Sequence, residues 1–242
     1  MNDAKIALVT GGNKGIGYEI ARQLGTTGAT VLLGARDAGR GEAAAAALRA
    51  EGLTVRPVRL DVTDEATIEA AATWIEREYG RLDVLVNNAG TVQEWGMDPT
   101  KLPIPLLRST YETNVFGVVA VTNAMLPLLR RAPAARIVNM SSSLGSLARS
   151  SDPNSDQHGV PLLAYNSSKA AVNRITVQYA AALRDTPIKV NAACPGFCAT
   201  DMNGHRGHRT PAQGAAIAVR LATLPPDGPT GGFFEDDGPV PW

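Results

Sequence analysis

Cysteine, histidine and aromatic residues are scarce in this sequence, and neither charge predominates. The two cysteines among 242 residues, Cys194 and Cys198, flank Pro195-Gly196. Two thiols that close in sequence suit reduced core or pocket residues better than a disulfide framework, so an apolar core must hold the fold. Three histidines, His158, His205 and His208, sit in Gly- and Arg-rich loops. That pattern suits solvated side chains rather than a ligand set, and no metal is expected. Lysine plus arginine and aspartate plus glutamate number 23 each. With no bulk field to attract nucleic acid or an anionic membrane, the expected partner is a small molecule. The opening MNDAKIALVTGG reaches glycines after a short apolar stretch. That stretch is too short for a signal core or a membrane span, and a cytoplasmic protein is expected.

What is present is apolar patterning. Hydrophobic residues make up 44% of the chain, enough for a full core, and no linker, repeat or low-complexity break divides it, so residues 1–242 are expected to form one domain. Short β-branched runs alternate with helical periodicity. Strands are predicted at Lys5–Thr10, Thr30–Leu33, Thr54–Leu60, Leu82–Val86, Arg136–Met140 and Ile188–Ala193, with a short final one at Gly232–Phe234. Helices are predicted from Ile16 to about Leu24 and at Glu42–Ala50, Asp64–Tyr79, Thr110–Arg131, Leu163–Arg184 and Thr210–Leu224. Trp95–Leu107, with three prolines, reads as an irregular loop. Alternation of this kind predicts an α/β Rossmann-type, doubly wound parallel sheet with helices on both faces and ligand at the carboxyl ends of the strands.

The first strand runs into Thr10-Gly11-Gly12-Asn13-Lys14-Gly15-Ile16-Gly17 and then a helix. Glycines there let the backbone approach a pyrophosphate while the helix N-terminus offers unpaired N–H groups and a positive dipole end. Gly11, Asn13, Lys14, Gly15, Ile16 and Gly17 are therefore candidate dinucleotide contacts. The second strand ends in Gly34-Ala35-Arg36-Asp37. An acid at this place binds a ribose 2′-hydroxyl, whereas an arginine accommodates a 2′-phosphate. With Ala35 where the acid is expected, Arg36 and Lys14 point to NADPH/NADP+, while Asp37 keeps NAD open. Asp61-Val62, after the third strand, is placed beside the adenine. Asn88-Ala89-Gly90, after the fourth, has small residues against which a cofactor ribose can lie, with a simple Asn turn as the alternative.

Tyr165 and Lys169 lie four apart in a helical segment and so share a face. A nearby ammonium favours phenolate and would lower the tyrosine pKa from its ordinary value of about 10 toward that of a working acid or base. An exposed helix pair is the plainer alternative.

Taken in order, TGGNKGIG, LDV, NNAG, Asn114, the run Ser141-Ser142-Ser143, YNSSK and PGFCAT resemble the short-chain dehydrogenase/reductase family over essentially the whole chain. The closer likeness is to its carbonyl reductase branch, through GARD, Tyr79-Gly80-Arg81-Leu82-Asp83, Thr200-Asp201-Met202 and the ending at Trp242. The resemblance implies an NADPH-dependent reductase of an aldehyde, ketone or quinone. It makes Tyr165 the general acid and has Ser142, with Ser141 and Ser143 as rivals in register, hydrogen-bond the carbonyl oxygen. Lys169 would bond the nicotinamide ribose, and Asn114 would hold a water linking Lys169 to solvent. Thr200, following Pro195-Gly196 in the same cofactor-binding stretch, would bind the carboxamide, and Phe197 would meet the substrate. Two alternatives stand beside it, an NAD-linked alcohol dehydrogenase and a catalytically idle NADP(H)-sensing protein. Two departures are visible. The segment Arg149–Pro161 is polar and turn-rich and reads as a surface excursion near the pocket. Phe197 stands where the carbonyl reductases carry a tryptophan. Pairing of family members through the helices at 110–131 and 163–184 implies a homo-oligomer, with a monomer as the alternative if the Arg149–Pro161 excursion covers that surface.

Overall fold

The computed structural model describes residues 4–242. One eight-stranded sheet forms its centre. In chain order the strands are β1 (Ile6–Val9), β2 (Thr30–Ala35), β3 (Val55–Arg59), β4 (Val84–Asn87), β5 (Arg136–Met140), β6 (Lys189–Ala193), β7 (Phe233–Glu235) and β8 (Gly238–Pro239). They lie in the order β3-β2-β1-β4-β5-β6-β7-β8. The first seven are parallel, and β8 returns antiparallel to β7. Residues of β1, β4 and β5 are buried throughout, which is why these strands lack the apolar–polar alternation of a strand with one solvated face.

Helices α1 (Gly15–Thr26), α2 (Ala38–Ala50) and α8 (Pro211–Ala222) cover one face of the sheet, burying Ile20, Leu24, Leu48, Ile217 and Leu221. Helices α3 (Glu65–Tyr79), α5 (Gly117–Leu129) and α7 (Leu163–Ala182) cover the other through Ile68, Ile75, Val121, Met125 and Leu129. Strand order reverses between β1 and β4, so a crevice opens there at the carboxyl ends of the strands.

Three stretches differ from expectation. Helix α2 begins at Ala38, ahead of Glu42, because the Asp37 side chain accepts the Arg40 N–H at 2.8 Å and caps it. The stretch expected to be irregular holds a 3-10 turn (Pro99–Lys101) and helix α4 (Ile104–Tyr111). Its prolines start the helix rather than prevent it: Pro103 precedes the first turn and Pro105 lies within it, where no intrahelical donor is needed. A π-turn, Glu112–Phe116, joins α4 to α5, so Asn114 lies in mid-helix instead of near a helix start. The continuous helix Ile104–Leu129 is long and apolar enough to cross a membrane by length and composition, yet Val121, Met125, Leu128 and Leu129 pack in the core. The polar excursion opens with a short helix, α6 (Leu147–Ser151), capped by Ser146. Arg149 holds it to β7 through two bonds to Glu235, at 3.1 and 2.5 Å.

Candidate active site

The glycine turn after β1 takes positive φ at Gly11 (62°) and Gly15 (56°), a region that L side chains rarely occupy. No side chain caps α1, so the amides of its first turn remain available to an anion. Gly15, Ile16 and Gly17 line a cleft of about 560 Å³ together with Gly11, Asn13 and Lys14. A Cβ on Gly17 would fall 2.3 Å from Asn88 Nδ2 and 2.4 Å from the Gly11 oxygen. The Asn88 amide donates to the Thr10 and Gly11 carbonyls at 2.9 and 3.2 Å, while the N–H groups of Asn88 and Ala89 donate to Thr10 Oγ1. The β4 loop therefore braces the glycine turn with the Asn88 side chain and presents Asn88, Ala89 and Gly90 to the cleft.

Arg36, the first residue beyond β2, lines the far end of the cleft with Asp61 and Val62. Asp61 turns its carboxylate onto the Thr63 N–H and hydroxyl. Lys14 reaches the same cleft already paired: its Nζ donates to Asp201 Oδ2 at 2.7 Å, and His205 lies 3.1 Å from the other oxygen. Asp201 appears in the sequence beside Thr200, but nothing local marks it as the partner of Lys14, 187 residues away.

Tyr165 and Lys169 occupy the first half of α7. Lys169 is buried, its Nζ donating to the Met140 carbonyl at 2.8 Å and standing 5.6 Å from the Tyr165 ring centroid. Burial pulls Lys169 down to about 8. Tyr165 moves the other way, to about 12. Burial is the main cause, a hydrogen bond with Ser142 opposes it, and Cys194 and Glu94 raise it further. The expectation of a phenol acidified by the neighbouring ammonium is thus overturned. Desolvation of the phenol dominates, while the ammonium spends a hydrogen bond on the Met140 carbonyl.

The serine run divides its work. Ser141 is buried and donates to Asn173 Oδ1 at 2.6 Å, and Ser143 donates to Gln157 Oε1 at 3.0 Å. Ser142 is the serine of the run that faces the Tyr165 phenol and favours its ionised form. Asn114 stands a layer behind, its Oδ1 accepting the Thr91 N–H at 2.8 Å and its amide donating to the Thr91 carbonyl and Ser168 Oγ at 2.9 and 3.0 Å. Both of its amide hydrogens are taken, and its Oδ1 accepts one bond and keeps a second lone pair. Gly90 separates it from the lysine: a Cβ there would be 3.5 Å from Asn114 Oδ1 and 3.6 Å from Lys169 Nζ.

Pro195 and Thr200 line the cleft. Gly196 and Phe197, expected there too, face elsewhere. Gly196 packs on Arg209, where a Cβ would fall 2.7 Å from Cδ, and Phe197 is exposed with its ring 6.2 Å from that of His208. The positive φ of Gly196 (72°) turns the chain outward at this point. Thr91, Val92 and Gln93 line the cleft without any signal of their own in the sequence.

A family model described as short chain dehydrogenase matches residues 5–210. The chain belongs to that family. Short-chain dehydrogenases are oxidoreductases, and the mainly parallel sheet with helices on both faces is the expected fold. Human carbonyl reductase [NADPH] 1 is 37% identical over 275 aligned residues, covering 98% of each chain. That alignment is longer than the 242 residues of this short-chain dehydrogenase, so the human enzyme carries segments absent here. NADPH-bound carbonyl reductase from chicken fatty liver superposes with a TM-score of 0.86 at 28% identity, over 99% of both chains. Salutaridine reductase from Papaver somniferum gives 0.83 at 32% identity, over 96% of this chain and 99% of that one.

Proposed function

We propose that this short-chain dehydrogenase is an NADPH-dependent reductase of small carbonyl compounds, aldehydes, ketones or quinones, with Tyr165 as general acid. Two of the relatives named above, the human and chicken proteins, are carbonyl reductases of NADPH, and the cleft suits that cofactor. The uncapped α1 terminus and the glycines that leave no room for a Cβ suit a pyrophosphate, and Arg36 with Lys14 suits a 2′-phosphate. Asp61 and Val62 would flank the adenine, Asn88 to Gly90 and Lys169 the riboses, and Pro195 and Thr200 the carboxamide. The NAD-linked alternative loses its residue, since Asp37 caps α2.

When bound, the cofactor supplies the hydride. The chain supplies the proton and the polar contacts at the carbonyl oxygen. One observation carries the reading: a phenol beside the Ser142 hydroxyl, its ring 5.6 Å from Lys169 Nζ, lining a cleft that Lys14 and Arg36 also line. Tyr165 Oη–H protonates the carbonyl oxygen while Ser142 Oγ–H bonds the same atom, so charge developing there meets oriented donors. Lys169 keeps a positive field beside the phenolate left behind and favours its reprotonation. Both amide hydrogens of Asn114 are engaged, and the backbone around it can serve the proton path. A π-turn spaces its bonds i to i+5 and leaves a carbonyl available to hold a water. In alcohol oxidation the same phenol acts as base.

The test is Tyr165→Phe, which keeps the ring and removes the transferable proton. NADPH binding should stay within about twofold of the parent while kcat for a carbonyl panel falls about 10²- to 10⁴-fold. Turnover within a few-fold of the parent would remove Tyr165 from the role. We also propose that two copies pair along the helices bearing Ile104 and Phe116, whose exposed side chains flank an apolar groove with Leu107 and Tyr111. Light scattering should give about twice the 25.4 kDa of the single chain, and a lone 25.4 kDa species would refute it.

A further inference from the structure

Helix α7 lacks an ordinary N-cap. The residue before it is Leu162, whose side chain accepts nothing, so the N–H groups of the first turn need an acceptor from elsewhere. Glu94 supplies one from the loop after β4, 71 residues away: its Oε1 accepts the Tyr165 N–H at 2.7 Å. The other oxygen accepts the Gln93 N–H at 3.1 Å. Glu94 is 1% exposed, a burial that acidic side chains rarely reach without partners.

The residue it caps is the third of the helix, where an N-cap side chain commonly bonds. Tyr165 is that residue. The acceptor therefore grips the backbone of the residue whose phenol faces the substrate carbonyl. The same loop contributes Thr91, Val92 and Gln93 to the wall of the cleft.

We propose that Glu94 is a positioning residue for the reduction, acting through Tyr165 as a tertiary N-cap of α7 that sets where the phenol stands relative to Ser142 and the carbonyl. The inference rests on Tyr165 being the general acid. The Glu94 carboxylate bonds the Tyr165 and Gln93 N–H groups and lines no part of the cleft, so the residues that would hold NADPH keep their own contacts without it. Its loss therefore acts on kcat and leaves the KM for NADPH in place.

Three variants, assayed for NADPH-dependent reduction of a carbonyl compound, test this. Glu94→Met fills the space without an acceptor and should lower kcat about tenfold or more, since displacement of a reacting group by an ångström costs up to about 10²-fold. Glu94→Gln keeps an oxygen in place and should restore kcat to within about threefold of the parent. If Glu94→Met does not fold, Glu94→Asp decides. Its acceptor is drawn back by about 1.5 Å, so kcat should fall several-fold with the KM for NADPH unchanged. In a Tyr165→Phe background Glu94→Met should add little further loss, because the group it positions has gone. A parental kcat in Glu94→Met, or in Glu94→Asp where only that variant folds, would overturn the inference, as would an equal loss in Glu94→Gln. If Tyr165→Phe itself kept its turnover, the general-acid reading would be the one to fail, which the single variants reveal separately.

Discussion

Replacing Arg36 by alanine should abolish most of the preference for NADPH over NADH, and by more than the loss of Lys14. The two cations meet a phosphate from different starting points. Among the described residues no ion pair engages Arg36, which stands exposed at the mouth of the cleft just beyond β2. A guanidinium can form two parallel charge-assisted bonds with the 2′-phosphate. Each contributes roughly 1.5–3 kcal/mol, and at the low end, suited to an exposed site, two give about 3 kcal/mol or on the order of 10²-fold in affinity. Lys14 already has Asp201 as partner at 2.7 Å, so a phosphate replaces one anion by another and the net gain is smaller. Steady-state kinetics with each cofactor and one carbonyl substrate should show kcat/KM for NADPH falling about 10²-fold in Arg36→Ala and less than tenfold in Lys14→Ala. The value for NADH should change little in both. Because Arg36 is solvated, the parental preference should also shrink as salt rises. Equal losses in the two variants, or a parent that uses both cofactors alike, would refute the reasoning.

Within the serine run, Ser142→Ala should lower kcat roughly 10²- to 10³-fold with little effect on stability, as expected for loss of a donor to a developing alkoxide. Ser141→Ala should do the reverse, because it strands the buried Asn173 oxygen now bonded at 2.6 Å; stability should fall by about 1–3 kcal/mol in urea unfolding while kcat stays within a few-fold. The pH dependence of stability carries a sign for each buried group. Lys169, lowered from 10.5 to about 8, binds its proton less tightly folded than unfolded, so its contribution makes the fold more stable as pH rises from about 8 to 10.5. Tyr165, raised from 10.0 to about 12, stabilises below pH 10 and loses that contribution as pH climbs through 12. Lys169→Met should therefore gain most on the parent below pH 8, with the gain shrinking toward pH 10.5. A difference constant across that range would show that burial of the ammonium carries no cost.

The sequence by itself determined the sheet, the glycine turn and the residues that meet across the cleft, because each is written in local pattern. Short β-branched apolar runs bounded by turn residues and alternating with helical periodicity read as strands of a parallel sheet. Glycines at 11, 15 and 17 mark a backbone that no side chain tolerates there, and the spacing of Tyr165 and Lys169 places both on one helical face. Tertiary structure alone decided what those residues experience. The pKa of Tyr165 follows from how much protein packs round its ring, which inverted the direction expected from its helical neighbour. The Asn114 amide is taken up by Thr91 and Ser168, and Lys14 by Asp201, through contacts spanning 23, 54 and 187 residues that no local pattern encodes. Phe197, which the resemblance placed against the substrate, lies beside His208 and not among the residues lining the cleft. Glu94 is the extreme case: a lone acid in a loop gives no sign of its partner, because the N–H it accepts belongs to a helix that comes near only when β4 and β5 pair and α7 packs against them. Local propensity sets which residues can form an element, whereas burial, capping and charge pairing depend on neighbours that folding brings together.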